Sequence, residues 1–95
     1  MGVAFVVVYH ELVAQEDIPR ISTADKGRVK QAIEEKLTRE PEVFGKPLRR
    51  SLKGYRKLRV GDYRVIFRIE KRKVKVLCVG HRSIVYREIG KRIAY

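Results

Sequence analysis

The sequence is poor in the residues that build several common kinds of site. It has one cysteine in 95 residues, which excludes an internal disulfide and a zinc site made of four cysteines. Its two histidines and scattered acidic residues show no metal-ligand spacing, and no glycine-rich phosphate loop precedes a predicted helix. We therefore expect no metal and no cofactor. Such sparing use of cysteine fits the reducing cytoplasm.

Long apolar segments are also missing. The longest apolar run, from Val3 to Val8, is far shorter than the roughly 20 residues that a membrane-spanning helix requires. No basic-then-apolar signal segment precedes this run, and the chain has no repeat, low-complexity tract or Ser/Gly-rich linker. We therefore expect one domain, residues 1–95, with no membrane partner.

Acidic residues are scarce in the second half of the chain. The whole sequence holds 23 Lys and Arg against 11 Asp and Glu, a net charge of +12. Residues 1–45 carry 6 basic and 8 acidic side chains, whereas residues 46–95 carry 17 basic and 3 acidic ones. The excess is local and rich in arginine, which binds phosphate groups well. We expect this half to face a polyanion or an acidic protein.

The first half of the chain predicts one strand followed by helical structure. Val3–Tyr9 is β-branched and aromatic, which is typical of a strand. The segment His10–Ile21 is ambiguous, because Pro19 must end or kink a helix there unless it lies in a first turn. A clearer helix follows the N-cap Ser22 and ends before Pro41. Its apolar stripe recurs every four positions, at Val29, Ile33 and Leu37.

From Gly54 the apolar residues alternate with polar ones, which is typical of strands. Turns at Gly61–Asp62 and Lys71–Lys73 separate three consecutive antiparallel strands, and a short helix is predicted over Tyr86–Tyr95. The predicted fold class is therefore α+β. An antiparallel sheet of the N-terminal strand and the three-strand meander carries a helical pair on one face, and the short helix ends the chain.

The alternation separates two kinds of residue onto opposite faces of this sheet. We expect the helices to cover the apolar face, which holds Leu58, Val60, Tyr63, Val65, Phe67 and Ile69. We expect the other face to be open, with Lys57, Arg59, Arg64 and Arg68 on it and Tyr55 at the same spacing. Like charges directly opposite each other destabilise a sheet, so these cations suggest a phosphate ligand. An ordinary solvated outer face is the alternative.

A second group of polar residues follows the last predicted strand. Gly80 gives the backbone freedom there, and His81, Arg82 and Tyr86 can converge. His81 is equally compatible with an ordinary loop position, and Tyr86 with a core aromatic. Cys78 alternates with core-facing valines, so we expect a small buried side chain rather than a nucleophile.

These segments together resemble the RelE/ParE superfamily of type II toxins, and most closely its RelE branch. The resemblance is carried by residues 44–48, residues 52–68, Val79–Arg82 and Val85–Tyr86, and it extends over essentially the whole chain from Val3. It implies a ribosome-dependent endonuclease that cuts mRNA in the ribosomal A site. It also implies a cognate acidic, RelB-like antitoxin that neutralises the toxin in a hetero-oligomer.

The resemblance further implies a catalytic set of basic residues with a tyrosine. Carried over by motif position, the set is Lys57, Arg59, Arg64, Arg82 and Tyr86, with His81 where the family commonly has a lysine. Further RNA contacts are expected from Lys53, Tyr55, Arg56 and Arg68. Tyr55 departs from the best-known RelE pattern, which has a lysine at that position.

The residues support cleavage of RNA through its own 2′-OH, which yields a 2′,3′-cyclic phosphate and a 5′-OH. The protein then supplies alignment, proton transfer and charge stabilisation. Arg64 and Arg82 are expected to stabilise the phosphorane, because a guanidinium binds phosphate oxygens bidentately. The general base stays open among His81, Lys57 and Tyr86.

Two other functions are compatible with the sequence. The ParE branch shares the fold and inhibits DNA gyrase, so a gyrase inhibitor is the first alternative. The second is an inactive relative that only binds RNA or the ribosome. The combination of Arg64, His81, Arg82 and Tyr86 favours the endonuclease.

Overall fold

The computed structural model describes residues 4–48, 52 and 54–93. The predicted RNA-contact residue Lys53, and the outermost residues of the predicted first strand and last helix, lie outside this part. The strands are β1 Val6–Tyr9, β2 Lys46–Pro47, β3 Arg56–Val60, β4 Tyr63–Glu70 and β5 Lys73–His81. The helices are α1 Thr23–Ala32 with a π-helical extension Ile33–Leu37, α2 Pro41–Phe44 and α3 Val85–Ile93. A first helical segment, made of Val13–Asp17 and Ile18–Arg20, precedes α1.

The five strands form one mixed sheet in the order β1-β5-β4-β3-β2. The α+β class and the meander β3-β4-β5 are confirmed. The prediction of a purely antiparallel sheet is wrong at β1, which runs parallel to β5 with Val6 opposite Lys73. Parallel neighbours require a long crossover connection, and the helical layer together with strands β2, β3 and β4 supplies it between β1 and β5. The two-residue edge strand β2, which includes Pro47, was not predicted.

The helical layer packs on the predicted apolar face. Ser22 caps α1 by accepting a hydrogen bond of 3.2 Å from the backbone nitrogen of Asp25. The predicted helix stripe is fully buried, together with Leu58, Val65 and Phe67 of the sheet. The partly buried Val60, Tyr63 and Ile69 pack against the same core. The assignment of this face is therefore confirmed, and the ambiguous segment after β1 is helical with Pro19 in its last turn.

The second face is not open along its whole length, as the alternation had predicted. Helix α3 covers part of it and forms a second core with Ile66, Leu77, Cys78, Val85 and Ile89. An irregularity in pairing adds Cys78 to this second core, because Phe67 is opposite Val76 while Ile66 is opposite Cys78. Leu77 is therefore an extra residue on β5, and the alternation changes phase there. This change turns Cys78 toward α3 rather than toward the first core.

No helix in the described ranges is long and apolar enough to cross a membrane. The same ranges contain no cluster of three or more His, Cys, Asp or Glu side chains that could hold a metal ion.

Candidate nucleic-acid interface

The part of the second face that α3 leaves uncovered carries cations in opposed pairs. Lys46 on β2 lies opposite Lys57 on β3, and Arg59 on β3 lies opposite Arg64 on β4. Phe44, the last residue of α2, borders the same group. These five side chains line a cavity of about 170 Å³, which we call the basic cavity. Liquid water occupies about 30 Å³ per molecule, so the cavity has room for a phosphate group.

The charge of the basic cavity has no compensation from carboxylates nearby. Within the described ranges, none of its four cations lies within 4.0 Å of an Asp or Glu oxygen. Each opposed pair brings two like charges together across the sheet, which destabilises the fold. A bound anion would offset this repulsion, so the arrangement favours an anionic ligand.

Arg64 is the best-fixed cation of the cavity. Only 8% of the residue is exposed. Its Nη1 donates two hydrogen bonds of 2.9 Å, to the backbone oxygens of Gly61 and Tyr63. These bonds tie the guanidinium to the turn between β3 and β4, so little side-chain entropy remains to be lost when an anion binds. A cation held in place in this way is suited to stabilising charge that develops during a reaction.

Helix α3 brings Tyr86 next to Lys57, one of the cations that line the basic cavity. The Nζ of Lys57 lies 5.7 Å from the centroid of the Tyr86 ring. Tyr86 is 36% exposed, whereas its neighbours Val85 and Ile89 fill the second core. The alternative hypothesis that Tyr86 is a core aromatic residue is therefore wrong. Lys57 and Tyr86 form one contact group at the edge of the cavity.

His81 lies apart from the basic cavity. Its ring packs edge-on against Tyr63, with centroids 5.9 Å apart, and it lines a separate cavity of about 70 Å³. The Nδ1 of His81 accepts a hydrogen bond of 3.1 Å from the backbone nitrogen of Ser83. Because a backbone N–H can only donate, the neutral ring carries its proton on Nε2. In this arrangement Nε2 can donate a proton to a hydrogen bond but cannot accept one.

Arg82 lies on the turn after β5, at the sheet end where β3 and β4 meet. Its backbone nitrogen donates a hydrogen bond of 2.8 Å to the oxygen of Asp62. Its side chain is largely exposed, and its Nε is 4.0 Å from the Asp62 carboxylate. An ion pair so long and so solvated contributes little to stability. The guanidinium therefore remains accessible to a ligand.

Arg56 faces the helical layer, not the basic cavity. Its Nη1 donates hydrogen bonds to the backbone oxygens of Gly45, at 2.9 Å, and Glu42, at 3.3 Å. These carbonyls belong to the C-terminal turn of α2, where they have no partner inside the helix. Arg56 thus fixes the end of α2, and its predicted contact with RNA stays a prediction.

Tyr55 and Arg68 form another group, nearer the opposite end of β4. The guanidinium carbon of Arg68 lies 5.7 Å from the centroid of Tyr55, and Arg68 also pairs with Glu70. Tyr55 packs against the second core. Neither residue lines the basic cavity. The structure thus separates Arg68 from the three cations with which the alternation had grouped it.

A buried ion pair that the sequence did not predict anchors α3. Arg92 of α3 donates to both carboxylate oxygens of Asp17, at 2.7 and 2.6 Å. Asp17 also accepts a hydrogen bond from the backbone of Val79, and Arg92 donates one to the oxygen of Leu77. The ion pair thus makes hydrogen bonds to the part of β5 that extends past the end of its pairing with β1. The Asp17 carboxylate raises the pKa of Arg92. Since 75 residues separate the partners, no local pattern could reveal the pair.

Cys78 is buried, as predicted. Its thiol lies in the second core and is free of any disulfide. Burial, followed by the negative charge of Asp17, raises the pKa of Cys78 to about 12. A thiol with this pKa is protonated at neutral pH and is not a nucleophile.

The chain resembles known toxins in sequence. A family model described as the ParE toxin of the type II toxin-antitoxin system parDE matches residues 5–86. Toxin RelG from Mycobacterium tuberculosis is 49% identical over 53 residues, and Toxin RelE from the same organism is 40% identical over 53 residues. Each match covers 54% of this chain, but only 61% of the first relative and 55% of the second. Both matches thus span less than two thirds of the relatives.

The chain also resembles solved structures. A chain of the toxin-antitoxin complex RelBE2 from Mycobacterium tuberculosis is 33% identical, with a TM-score of 0.78. That match covers 84% of this chain and 100% of the other. The archaeal RelE-RelB complex from Pyrococcus horikoshii gives a TM-score of 0.57 at 22% identity, over 83% of this chain and 96% of the other, which supports the fold alone.

Proposed function

We propose that this chain, which belongs to the RelE/ParE superfamily of type II toxin-antitoxin toxins, is a toxin that cleaves mRNA on the ribosome. The observation that carries the proposal is the basic cavity, in which four cations have no carboxylate nearby among the described residues and one of them, Lys57, contacts Tyr86. A site that exposes such charge on one surface suits the phosphate backbone of a nucleic acid.

The proposed reaction uses a nucleophile that RNA itself provides. The 2′-oxygen attacks the adjacent phosphorus, a base takes the 2′-hydroxyl proton, and the bond to the 5′-oxygen breaks as that oxygen gains a proton. The products are a 2′,3′-cyclic phosphate and a 5′-OH. The fixed guanidinium of Arg64 would stabilise the phosphorane, with Arg82 reaching the same phosphate from the turn after β5. Lys57 and Arg59 would hold the backbone.

Proton transfer is best assigned to the group formed by Lys57 and Tyr86. Lys57 lines the basic cavity, where the scissile phosphate would bind, and Tyr86 contacts Lys57. His81 lines a different cavity, and its Nδ1 is engaged by Ser83. For His81 to act as the base, its ring would have to release Ser83 and turn toward the phosphate. We therefore prefer Lys57 with Tyr86 over His81.

The proposed physiological partners are an acidic RelB-like antitoxin and the ribosome. Two of the similar structures are toxin-antitoxin complexes by name. An acidic segment that folds onto the second face would neutralise the basic cavity and block access of RNA. The ribosome would align the message and so provide orientation that a 95-residue protein lacks. The proposed site of action, the ribosome, would require the protein to act in the cytoplasm.

The test is in vitro translation of a defined message, with the cut positions mapped by primer extension. The proposal expects cuts inside the codon at the ribosomal A site. The ParE name of the matching family model favours gyrase inhibition as the second candidate. Intact message together with trapped gyrase–DNA complexes would establish that function instead. Intact message with binding to ribosomes alone would indicate an inactive relative.

A further inference from the structure

Phe44 is an exposed aromatic side chain at the basic cavity. It is 41% exposed, and the other side chains that line the cavity, among the residues that the structure describes, are all cationic. A single exposed aromatic residue on a protein surface needs no explanation by itself. The position of Phe44 is different, because cations that could bind a phosphate surround an apolar ring that cannot. Nothing in the proposed cleavage chemistry uses this ring.

The backbone that carries Phe44 is held firmly. The backbone nitrogen of Phe44 donates to the oxygen of Glu40 at 3.1 Å, and that of Gly45 donates to the oxygen of Pro41 at 2.9 Å. Arg56 bonds the carbonyl of Gly45 from the other side. A Cβ atom at Gly45 would collide with the ring of Phe67, so the chain passes close to the core immediately after Phe44. An exposed ring on a fixed backbone loses little entropy when it binds a partner.

The charges around Phe44 match a nucleic-acid strand rather than an apolar protein. The Nζ of Lys36 lies 5.5 Å from the centroid of the Phe44 ring, and Lys46 lines the cavity beside it. A basic groove with an accessible aromatic ring is the combination that binds single strands, in which cations follow the phosphates and rings stack on bases. Because every base has a π-face, such stacking tolerates any base sequence.

We propose that Phe44 is a stacking platform for an unpaired RNA base next to the phosphate held in the basic cavity. This inference rests on the proposed function and extends it. Lys57 lines the cavity with Phe44 and also contacts the ring of Tyr86. The two aromatic residues therefore border one cation and hold neighbouring parts of the same strand. The ligand class is single-stranded RNA.

The experiment measures binding of a short single-stranded RNA with 2′-O-methylribose at every position, which blocks the nucleophile. Loss of a stacked base costs about 5-fold to 150-fold in affinity by alanine substitution, and Phe44→Ala is expected to fall in this range. Phe44→Tyr keeps a ring and should bind like the wild type. Val43→Ala is the matched control, because Val43 is 68% exposed on the same helix and does not line the cavity. It should leave binding unchanged.

Abasic substitution, one position at a time, identifies the stacked base. One abasic position should weaken binding to the wild type by the same factor as Phe44→Ala, and should have no further effect in that variant. The inference is overturned if Phe44→Ala binds like Val43→Ala, or if each abasic position weakens both proteins equally. Wild-type protein that does not bind the strand would also overturn it.

The binding assay separates the stacking inference from the proposed function. If the wild-type protein stacks the base but leaves message on the ribosome intact, the stacking inference stands and the proposed endonuclease activity is refuted. If the protein cuts message in the A site but Phe44→Ala changes neither binding nor KM, the endonuclease proposal stands and the stacking inference is refuted.

Discussion

Two nearly buried arginines of this protein differ in what neutralises them. Arg92, with 5% of its side chain exposed, bonds both oxygens of the Asp17 carboxylate. Among the described residues, Arg64, with 8% exposure, bonds only backbone carbonyls and lies opposite another arginine. Burial alone therefore does not separate a structural cation from a functional one. The partner does, because a carboxylate cancels the charge that a carbonyl leaves available to an anionic ligand.

The comparison predicts its largest effect on stability at the buried ion pair. Asp17→Ala leaves Arg92 buried without its carboxylate and should lower the free energy of unfolding by about 3–5 kcal/mol. Urea denaturation measures this loss as a lower midpoint. The double variant Asp17→Ala/Arg92→Ala should lose less than the two single variants summed. An unchanged midpoint in Asp17→Ala would show that the pair does not anchor α3.

A second prediction concerns the groups that transfer protons at the uncompensated site. Tyr86→Phe keeps the ring but removes the hydroxyl, and Lys57→Ala removes the ammonium. Loss of a general acid or base slows a reaction by about 10²–10⁴-fold. At least one of these variants should show such a loss in kcat for A-site cleavage. His81→Ala should cut nearly as fast as the wild type. A loss confined to His81→Ala would overturn the assignment.

A third, smaller effect is expected in the salt dependence of RNA binding. Each phosphate neutralised on a single strand contributes about −0.7 to the slope of log K against log salt. Lys46→Ala should therefore reduce the magnitude of the slope by roughly 0.7. Fluorescence anisotropy over a salt series measures it. Arg20→Ala, on the exposed surface of the first helical segment, is the matched control and should leave the slope unchanged. Equal slopes for Lys46→Ala and the wild type would show that the RNA strand does not bind at Lys46.

The last prediction concerns the thiol near the buried pair, whose effect is confined to alkaline pH. Because the folded-state pKa of Cys78 is raised from 9.0 to about 12, folding favours the protonated thiol. This contribution to stability is complete below the unfolded pKa and is lost as the pH rises from about 9 towards 12. At pH 8 a disulfide reagent should label Cys78 only after unfolding. Rapid labelling of the native protein would show that the second core opens.

Much of the fold could be predicted from the sequence, because periodicity reports which side of an element is buried. The stripe from Val29 to Leu37 and the alternation along β4 both placed their residues in the first core. The direction of β1 could not be predicted, since a strand pattern is the same in parallel and antiparallel pairs. The extra residue Leu77 also left no local signal, and it reversed the side on which Cys78 lies.

The candidate site was only partly predictable, for the same reason. Alternation grouped Lys57, Arg59 and Arg64, which share a cavity. It did not reveal Lys46 and Phe44, because the edge strand β2 has only two residues and no period to read. The segment of residues 44–48, which helps to carry the family resemblance, was the available sequence signal for these two residues.

The most direct test of the account compares Arg64→Ala with Arg20→Ala in single-turnover cleavage of message on the ribosome. Loss of one fixed group that stabilises developing charge costs about 10²–10³-fold in rate. The account predicts this loss for Arg64→Ala, full activity for Arg20→Ala, and products that end in a 2′,3′-cyclic phosphate. Equal rates for the two variants would contradict it.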